Sequence, residues 1–350
     1  MSKPFSNIIR TGLAYCMAGM ILLLGSCAKN EPLESKANPY KFVVPSNFPQ
    51  PTYTFENNPI TEDGFKLGRK LFYDGILSID GSVSCNSCHQ QALAFADSRQ
   101  HPLSRGVGDR IGIRNAPSLT NLAFMPDFFW DGGVNHLDFV PLNAIESEVE
   151  MDETLENVLA KLNANSTYRG LFKQAFGIDS ITSPYLLHAL SQFTAMMVSA
   201  NSKYDKYVRN EGQTLTEAEM QGLQTFKSKC SSCHSGELFS DFSFKNNGLD
   251  TASDLGRGRI TEQISDYYKF RVPSLRNVAR TAPYIHNAGF WTLEEVLDHY
   301  ASGIVHSSTL DPSLQNGIQL TQQEKDNIIS FLNTLSDYEF VDDERFFNPD

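Results

Sequence analysis

The sequence predicts a mainly α-helical protein made of two similar domains. The main observation is that Cys-Asn-Ser-Cys-His at residues 85–89 recurs as Cys-Ser-Ser-Cys-His at residues 230–234. Apolar residues with helical spacing precede both motifs, and alternating strand patterns are scarce. We therefore expect one motif in each domain, entered from an amphipathic helix.

Both motifs have the order and spacing of c-type haem attachment sites. In such sites two thioether bonds hold the haem, and the adjacent histidine lies under the iron. A zinc ribbon is one alternative, but its cysteine pairs usually lie about 15 to 20 residues apart. A thioredoxin-like redox pair does not account for a histidine after both motifs. The predicted fold is two cytochrome c-like domains, each with one covalent haem c. The predicted haem-binding residues, in which each histidine ligates an iron, are Cys85, Cys88, His89, Cys230, Cys233 and His234.

The N-terminus has the composition of a secretory signal. Lys3 and Arg10 are followed by an apolar run over residues 13–24 and then by Gly-Ser-Cys. Residues 24–27 resemble a bacterial lipoprotein box, so residues 1–26 are predicted to be removed and Cys27 to be acylated. An ordinary signal peptide is the alternative. Both place the mature protein outside the cytoplasm, and we expect a periplasmic protein attached to a membrane only by its lipid.

Composition and helical patterns predict the domain limits. Residues 27–59, rich in Pro, Asn and Ser, form a predicted tether. Residues 60–209 form the N-terminal domain, residues 210–337 the C-terminal domain, and residues 338–350 a tail. A single long helix is predicted over residues 186–208.

Two amphipathic helices are expected to lead into the motifs. The first helix has one apolar face, made of Phe65, Gly68, Leu71 and Phe72. The second begins with a capping box of Thr216 and Glu219.

The formal net charge of the chain is −12. Removal of residues 1–26, which contain two basic and no acidic residues, would make it more negative. An acidic surface argues against nucleic acid as a partner and suits a basic electron-donor protein. A homodimer is compatible with this composition.

Further blocks of the sequence resemble one protein family. They are Leu77-Ser78-x-Asp80-Gly81-Ser82-x-Ser84-Cys85, Arg114-Asn115-x-Pro117-Ser118-Leu119, Phe129-Trp130-Asp131-Gly132, Val149-Glu150-Met151, Val272-Pro273-Ser274-Leu275-Arg276-Asn277-Val278 and Thr281-Ala282-Pro283-Tyr284-x-His286. Together with the haem motifs, they resemble the bacterial dihaem cytochrome c peroxidases and the related MauG-type enzymes. The resemblance implies a peroxidatic haem in the N-terminal domain and an electron-transfer haem in the C-terminal domain.

The resemblance also implies roles for individual residues. Glu150 corresponds to the catalytic acid/base; a solvated acid is the alternative. Trp130 corresponds to the residue between the haems; simple core packing is the alternative. Asn115, Thr281 and Pro283 correspond to an inter-domain calcium site, and oxygen ligands suit that ion.

Two departures from the family pattern concern the first haem. Val140 stands where many relatives have a glutamine near the peroxide. Val107 stands where peroxidases that need reductive activation have a histidine capping the iron. His101 lies close by in sequence and is the alternative cap. The expectation is a first haem that is open in the oxidised protein.

A third departure concerns the second haem. All eight methionines precede Cys230, whereas methionine ligands in cytochrome c domains follow the motif. Tyr300 falls on the apolar face of a predicted helix, at the position where the resemblance implies an iron ligand. A packed core tyrosine, His299 and His286 are the alternatives.

Three functions are compatible with the sequence. The first is reduction of hydrogen peroxide to water, with electrons from a small cytochrome or cupredoxin that enter at the C-terminal haem. The second is MauG-like oxidation of a partner protein, although Ser228 replaces the tryptophan relay of MauG-type enzymes. The third is a non-catalytic electron-transfer cytochrome, which Glu150 disfavours.

Overall fold

A computed structural model describes residues 39–97, 101–249 and 254–350, and residues 40–350 form one compact unit. The predicted signal peptide, Cys27 and the first part of the tether lie outside the described residues. The described helices are α1 (Glu62–Tyr73), α2 (Cys85–Cys88), α3 (Val140–Glu146), α4 (Leu155–Ala164), α5 (Ser166–Phe176), α6 (Ser183–Ala195), α7 (Lys203–Val208), α8 (Glu217–Lys229), α9 (Gly258–Thr261), α10 (Leu293–Ser302), α11 (Gln322–Asn333) and α12 (Tyr338–Val341).

The helix before the first motif forms as predicted. The Thr61 hydroxyl accepts a hydrogen bond from the Gly64 N–H and caps α1, whose predicted apolar face is buried. This face crosses α6 at Gly68. A Cβ atom on Gly68 would lie 1.9 Å from the Ala189 carbonyl oxygen, so only glycine allows this crossing.

The second half repeats this helix crossing. The predicted capping box of Thr216 and Glu219 begins α8. Helix α8 then crosses α11 at Gly222, where a Cβ atom would lie 1.9 Å from the Asn327 carbonyl oxygen. Each haem motif therefore follows a helix that packs closely on a second helix at a glycine.

The long helix predicted over residues 186–208 is wrong. Helix α6 ends before residues 196–202, and α7 begins after them. Side chains redirect the intervening main chain: the Ser199 N–H donates to Asn121 Oδ1 at 2.9 Å. Ser202 then caps α7 through a capping box. The apolar periodicity continued through the break because residues on both sides are buried, those of α6 in the clusters of the first half and those of α7 in a separate cluster with α8 and α11.

Strands contribute little to the described residues. Phe244–Lys245 (β1) and Phe270–Arg271 (β2) form one short antiparallel pair, with Phe244 opposite Arg271. The prediction of a mainly α fold is confirmed.

The C-terminal segment 338–350 packs on the N-terminal domain. Phe340 and Phe346 are buried in a cluster with aromatic residues of α1 and α6. The Tyr73 hydroxyl donates to the Phe346 carbonyl oxygen at 2.7 Å. The segment that was predicted as a tail thus completes the core beside the first haem motif.

The segments that follow the two motifs repeat each other at a separation of 156 residues. Asn121 and Asn277 both adopt left-handed backbone conformations and begin short 3₁₀ helices, at Leu122–Phe124 and Val278–Arg280. Isolated bridges follow at equivalent positions, between residues 128 and 134 and between residues 284 and 290. The two halves therefore share a scaffold beyond the haem motifs.

Within the described ranges, no helix combines the length and apolar character required to cross a membrane.

Candidate haem sites and the contact between them

Both motif histidines are oriented by main-chain oxygens. His89 Nδ1 lies 2.9 Å from the Phe95 carbonyl oxygen, and His234 Nδ1 lies 3.0 Å from the Phe239 carbonyl oxygen. Burial lowers the pKa of both imidazoles, which favours their neutral form. A neutral imidazole that donates through Nδ1 presents Nε2 as a lone pair for a metal. Both histidines therefore fit the role of iron ligand.

The four motif cysteines also fit haem attachment. Their thiols are free, so each sulfur is available to stand in a thioether bond. In the first motif they lie at the two ends of α2, and in the second motif they follow the end of α8 directly. Burial raises the pKa of Cys85 to about 12, as expected for a thiol enclosed by apolar side chains.

A cavity of about 270 Å³ extends from the second motif towards the first domain. Its walls are mostly apolar, and they include the second-motif residues Cys230, Cys233 and His234. Helix α10 contributes the predicted apolar face, and its Tyr300 lines the cavity. An apolar cavity bounded by two thiols and a histidine has the chemistry required for a haem.

Tyr300 is half-buried and lines this cavity, close enough to both motif thiols for their fields to act on it. Burial raises the pKa of its phenol, with smaller contributions from Cys230 and Cys233. Its hydroxyl lies 3.5 Å from Asn247 Nδ2. Tyr300 therefore lies on the same side of the fold as the second motif.

The two histidines considered as alternatives to Tyr300 are placed differently. His299 Nε2 lies 2.9 Å from the Asn247 carbonyl oxygen, and among the described residues His299 is not part of the cavity wall. His286 lines the cavity, but its ring stacks on Phe270 with centroids 3.6 Å apart. Tyr300 and His286 therefore both reach the cavity of the second motif, and Tyr300 is close enough to Cys230 and Cys233 for their fields to act on its phenol.

Glu150 lies at the first motif. Burial raises the pKa of its carboxyl, and a hydrogen bond from Ser147 opposes this rise. Burial is the main cause of the raised pKa of Cys85 and Cys88, and the field of Glu150 adds a smaller rise. The half-buried carboxyl therefore lies near the two thiols of the first motif.

The loop that carries Val107 packs directly on Glu150. The Val107 N–H donates to the Glu150 carbonyl oxygen at 2.8 Å. A Cβ atom on Gly106 would lie 2.2 Å from the Val149 carbonyl oxygen, so the two segments are in close contact. His101 lies outside this contact, with Nδ1 3.9 Å from Asp97 Oδ2. Val140, the other departure from the family pattern at the first haem, begins α3 and packs in an apolar cluster.

Trp130 lies where the two halves meet. Its Nε1 donates to the Asn115 carbonyl oxygen at 2.8 Å, and its ring lies edge-on to His286 with centroids 6.4 Å apart. Trp130 is buried and lines the cavity of the second motif. Trp130 and His286 occupy equivalent positions in the 156-residue repeat.

Reciprocal main-chain hydrogen bonds join the halves around these rings. The Arg271 N–H donates to the Trp130 carbonyl oxygen at 2.7 Å, and the Asn115 N–H donates to the His286 carbonyl oxygen at 2.8 Å. Asn115 and Arg271 are also equivalent in the repeat. The inter-domain contact therefore has approximate two-fold symmetry.

The predicted calcium residues come together at this contact. Asn115 Nδ2 donates to the Pro283 carbonyl oxygen at 2.7 Å, and Thr281 lines the same cavity. No group of three or more His, Cys, Asp or Glu side chains that could hold a metal is found in the described parts of the chain. A cation here would depend on amide and carbonyl oxygens, with the Asn115 amide turned so that Oδ1 faces the ion.

Arg271 is the site residue that was not predicted. Its side chain is 5% exposed and lines the cavity, although it lies in a two-residue strand. The sequence could have indicated this buried arginine, because Arg271 stands between the apolar residues Phe270 and Val272, immediately before the Val-Pro-Ser-Leu block. An arginine within an apolar segment is rarely buried without a partner.

Two cytochrome-like halves, each with an oriented histidine and a pair of free thiols, define the class of c-type dihaem proteins. The family model described as di-haem cytochrome c peroxidase matches residues 62–213. The methylamine utilization protein MauG of Methylophilus methylotrophus is 32% identical over 302 residues, which cover 84% of this chain and 88% of the relative. The cytochrome c551 peroxidase of Pseudomonas aeruginosa is 31% identical over 299 residues, which cover 82% and 83%.

A solved structure of a MauG-like protein associated with microbial copper homeostasis superimposes with a TM-score of 0.81. It is 33% identical, and the match covers 89% of this chain and 99% of that protein. The chain belongs to the family of di-haem cytochrome c peroxidases and MauG proteins. It is an oxidoreductase of the peroxidase type, and its family implies two haem c cofactors.

Proposed function

We propose that this protein reduces hydrogen peroxide to water with electrons from a small cytochrome c or cupredoxin. Each turnover consumes one peroxide, two electrons and two protons and releases two waters. With both haems bound, electrons would enter at the C-terminal half, which contains His234, and pass to the N-terminal half, which contains His89, where peroxide would bind. The haem iron, when bound, supplies the redox chemistry, and the side chains supply proton transfer, positioning and exclusion of water.

The observation that carries this proposal is the placement of Glu150. A half-buried carboxyl with a raised pKa can accept a proton from one peroxide oxygen and return it to the other. Glu150 is close enough to act on both thiols of the first motif, so it lies beside the haem they would hold. Glu150 is therefore the proposed acid/base.

The loop beside Glu150 favours an open first haem. Val107 has no group that can bind iron, and its main chain is tied to the Glu150 carbonyl oxygen. A peroxide that arrives at the oxidised protein would then meet no side-chain ligand from position 107. The proposed enzyme reacts without prior reduction.

Trp130 is the proposed relay between the two haems. It is buried at the contact between the halves, and its hydrogen bond to Asn115 holds the indole in one orientation. A buried aromatic ring in this position shortens the distance an electron must cross. Calcium at Asn115, Thr281 and Pro283 is proposed to stiffen this same contact.

Placement of Tyr300 favours a second candidate, MauG-like oxidation of a partner protein. A tyrosinate ligand favours the oxidised state of a haem, so the second haem would be a poor store of one electron. The partner would then supply the two electrons in place of the small redox protein. Ser228 is exposed on α8, so the tryptophan relay implied by the resemblance is absent from that surface.

The proposed location is the periplasm, with the mature chain anchored by lipid at Cys27. Its support is the composition of the first 27 residues together with the extracytoplasmic attachment of c-type haem.

Stoichiometric peroxide added to the oxidised holoprotein tests the proposal. We expect an immediate change in the haem absorption spectrum, followed by continuous turnover when reduced cytochrome c is supplied. A slow or absent reaction until the protein is pre-reduced would contradict the open first haem. A spectral change without turnover of any small donor would favour the second candidate.

Replacement of Tyr300 by phenylalanine tests the proposed second ligand. We expect the low-spin haem signals in electron paramagnetic resonance to change, because the phenol oxygen is lost. Tyr284→Phe is the matched control, since Tyr284 lines the same cavity. Unchanged signals in Tyr300→Phe would remove Tyr300 as a ligand.

A further inference from the structure

The guanidinium of Arg271 is buried without a complete set of partners. Its Nη1 atom is inaccessible to solvent and has no hydrogen-bond partner among the described residues. The residue lines the mostly apolar cavity of the second motif. An unpaired buried charge is strongly destabilising, so this geometry calls for an anion within the cavity.

The remainder of Arg271 is held at the contact between the halves. Its main-chain N–H donates to the Trp130 carbonyl oxygen at 2.7 Å, and its Nε donates to the Phe129 carbonyl oxygen at 3.2 Å. Burial lowers the pKa of the guanidinium to about 10, against the opposing field of Asp127. These bonds fix the side chain and leave Nη1 as a spare donor.

The equivalent residue in the other half has no such spare donor. Asn115 Nδ2 donates to the carbonyl oxygens of Pro283 and Ile285 at 2.7 and 3.2 Å. Ile285 is equivalent to Phe129 in the repeat, so Asn115 and Arg271 make matching contacts. The longer arginine extends beyond this shared position.

Another buried arginine of the fold is fully paired. Both terminal nitrogens of Arg276 donate to the Asp205 carboxylate, at 2.7 and 2.8 Å. Both side chains of this pair are completely buried. The protein therefore provides a carboxylate where a buried arginine has only a structural role, and Arg271 is the contrasting case.

We infer that Arg271 Nη1 binds a propionate carboxylate of the haem held by Cys230 and Cys233, and so joins that haem to Trp130. The inference rests on the proposed attachment of a haem at the second motif. The propionates are the carboxylates a haem carries, and a guanidinium binds a carboxylate through short charge-assisted hydrogen bonds. Arg271 is thus a positioning residue, with its side chain on the haem and its main chain on Trp130.

A fixed positive charge beside the second haem also favours the reduced iron, because reduction lowers the positive charge of the haem. Loss of that charge would therefore lower the reduction potential of the second haem and leave the first nearly unchanged. This effect distinguishes a propionate contact from a purely structural role.

Spectroelectrochemical titration of the full-length holoprotein tests the inference. In Arg271→Gln, at the midpoint potential of the wild-type second haem, we expect the ratio of reduced to oxidised second haem to fall roughly tenfold. Arg271→Lys, which keeps the charge, is expected to lie closer to wild type. Arg169→Gln is the matched control, because it removes a charge from an exposed arginine of α5 in the other half, and it should leave the ratio unchanged.

Haem content, measured as the pyridine haemochrome, distinguishes a failure of haem attachment from a failure of the inference about Arg271. Fewer than two haems in the wild-type protein would contradict the proposed attachment and not the role of Arg271. An unchanged potential in Arg271→Gln with both haems present, or a change confined to the first haem, would overturn the inference. Resonance Raman spectra of the wild-type protein provide a test without variants. If the propionate bending bands show that every propionate is exposed to solvent, the inference about Arg271 is overturned.

Discussion

His89 and His234 are held in the same way, yet different groups face the two motifs. Each Nδ1 atom lies against a carbonyl oxygen, at 2.9 and 3.0 Å. Glu150 and the loop of Val107 lie at the first motif. Tyr300 lies at the second. The two motif histidines are therefore oriented alike, and the other groups that lie beside the two motifs differ.

This difference shows which parts of the duplicated scaffold carry the chemistry. The glycine crossings, the left-handed asparagines and the reciprocal hydrogen bonds are shared by both halves. The distinctive groups come from two loops and one helix that lie outside those shared features. A few side chains on a common scaffold are thus proposed to make one site reactive and the other closed.

The largest effect is expected for Glu150→Gln. Loss of the acid/base should lower peroxidase turnover by about 10²- to 10⁴-fold and leave the spectrum of the second haem unchanged. Steady-state oxidation of reduced cytochrome c measures this effect. Glu148→Gln is the matched control, because Glu148 is an exposed acid two residues away. Equal activities in the two variants would show that Glu150 does not supply the acid/base chemistry of the first site.

Alanine at the two helix crossings tests whether the scaffolds are equivalent. Gly68→Ala and Gly222→Ala should each lower the free energy of unfolding by about 1–3 kcal/mol, because each new Cβ meets a carbonyl oxygen. Thermal denaturation of the holoproteins gives the comparison. Gly170→Ala is the control, since nothing lies near its Cβ position and helix propensity favours alanine. A loss of stability in only one half would show that the crossings are not equivalent.

Val107→His should make the two sites more alike. A histidine at this position could bind the first iron in the oxidised protein and slow its reaction with peroxide about tenfold. Rapid-mixing absorption spectroscopy measures the rate, and pre-reduction should restore it. Val107→Leu keeps the apolar contact and should react like the wild type. An unaltered rate and unaltered spin state in Val107→His would show that position 107 does not reach the iron.

The smallest expected effect is on the pH dependence of kcat/KM. The pKa of Glu150 is raised above 4.5, so the carboxylate needed to accept a proton is lost as the pH falls through this raised value. The acid limb of kcat/KM should therefore lie above pH 4.5 and be absent from the residual activity of Glu150→Gln. For stability the sign is opposite: the neutral carboxyl is favoured on folding, so its contribution is lost as the pH rises through the folded pKa. An identical acid limb in both proteins would assign that limb to another group.

Local sequence determined the elements that depend on neighbours in the chain. The capping box of Thr216 and Glu219, the apolar face of α1 and the helix that presents Tyr300 all formed as predicted. The break between α6 and α7 was missed because it depends on hydrogen bonds from distant residues such as Asn121 and Asp337. Periodicity detects which residues face a core and cannot detect where a distant side chain redirects the main chain.

By itself, the sequence determined the two haem attachment motifs and the family, because thiol and imidazole spacing within five residues is a local property. Tertiary structure decided what each motif faces. It placed Val107 on Glu150, brought Tyr300 to the cavity of the second motif, returned residues 338–350 to the first core and left Arg271 buried at the cavity wall. These relations join residues from distant parts of the chain, and only the packing of the two halves brings them together.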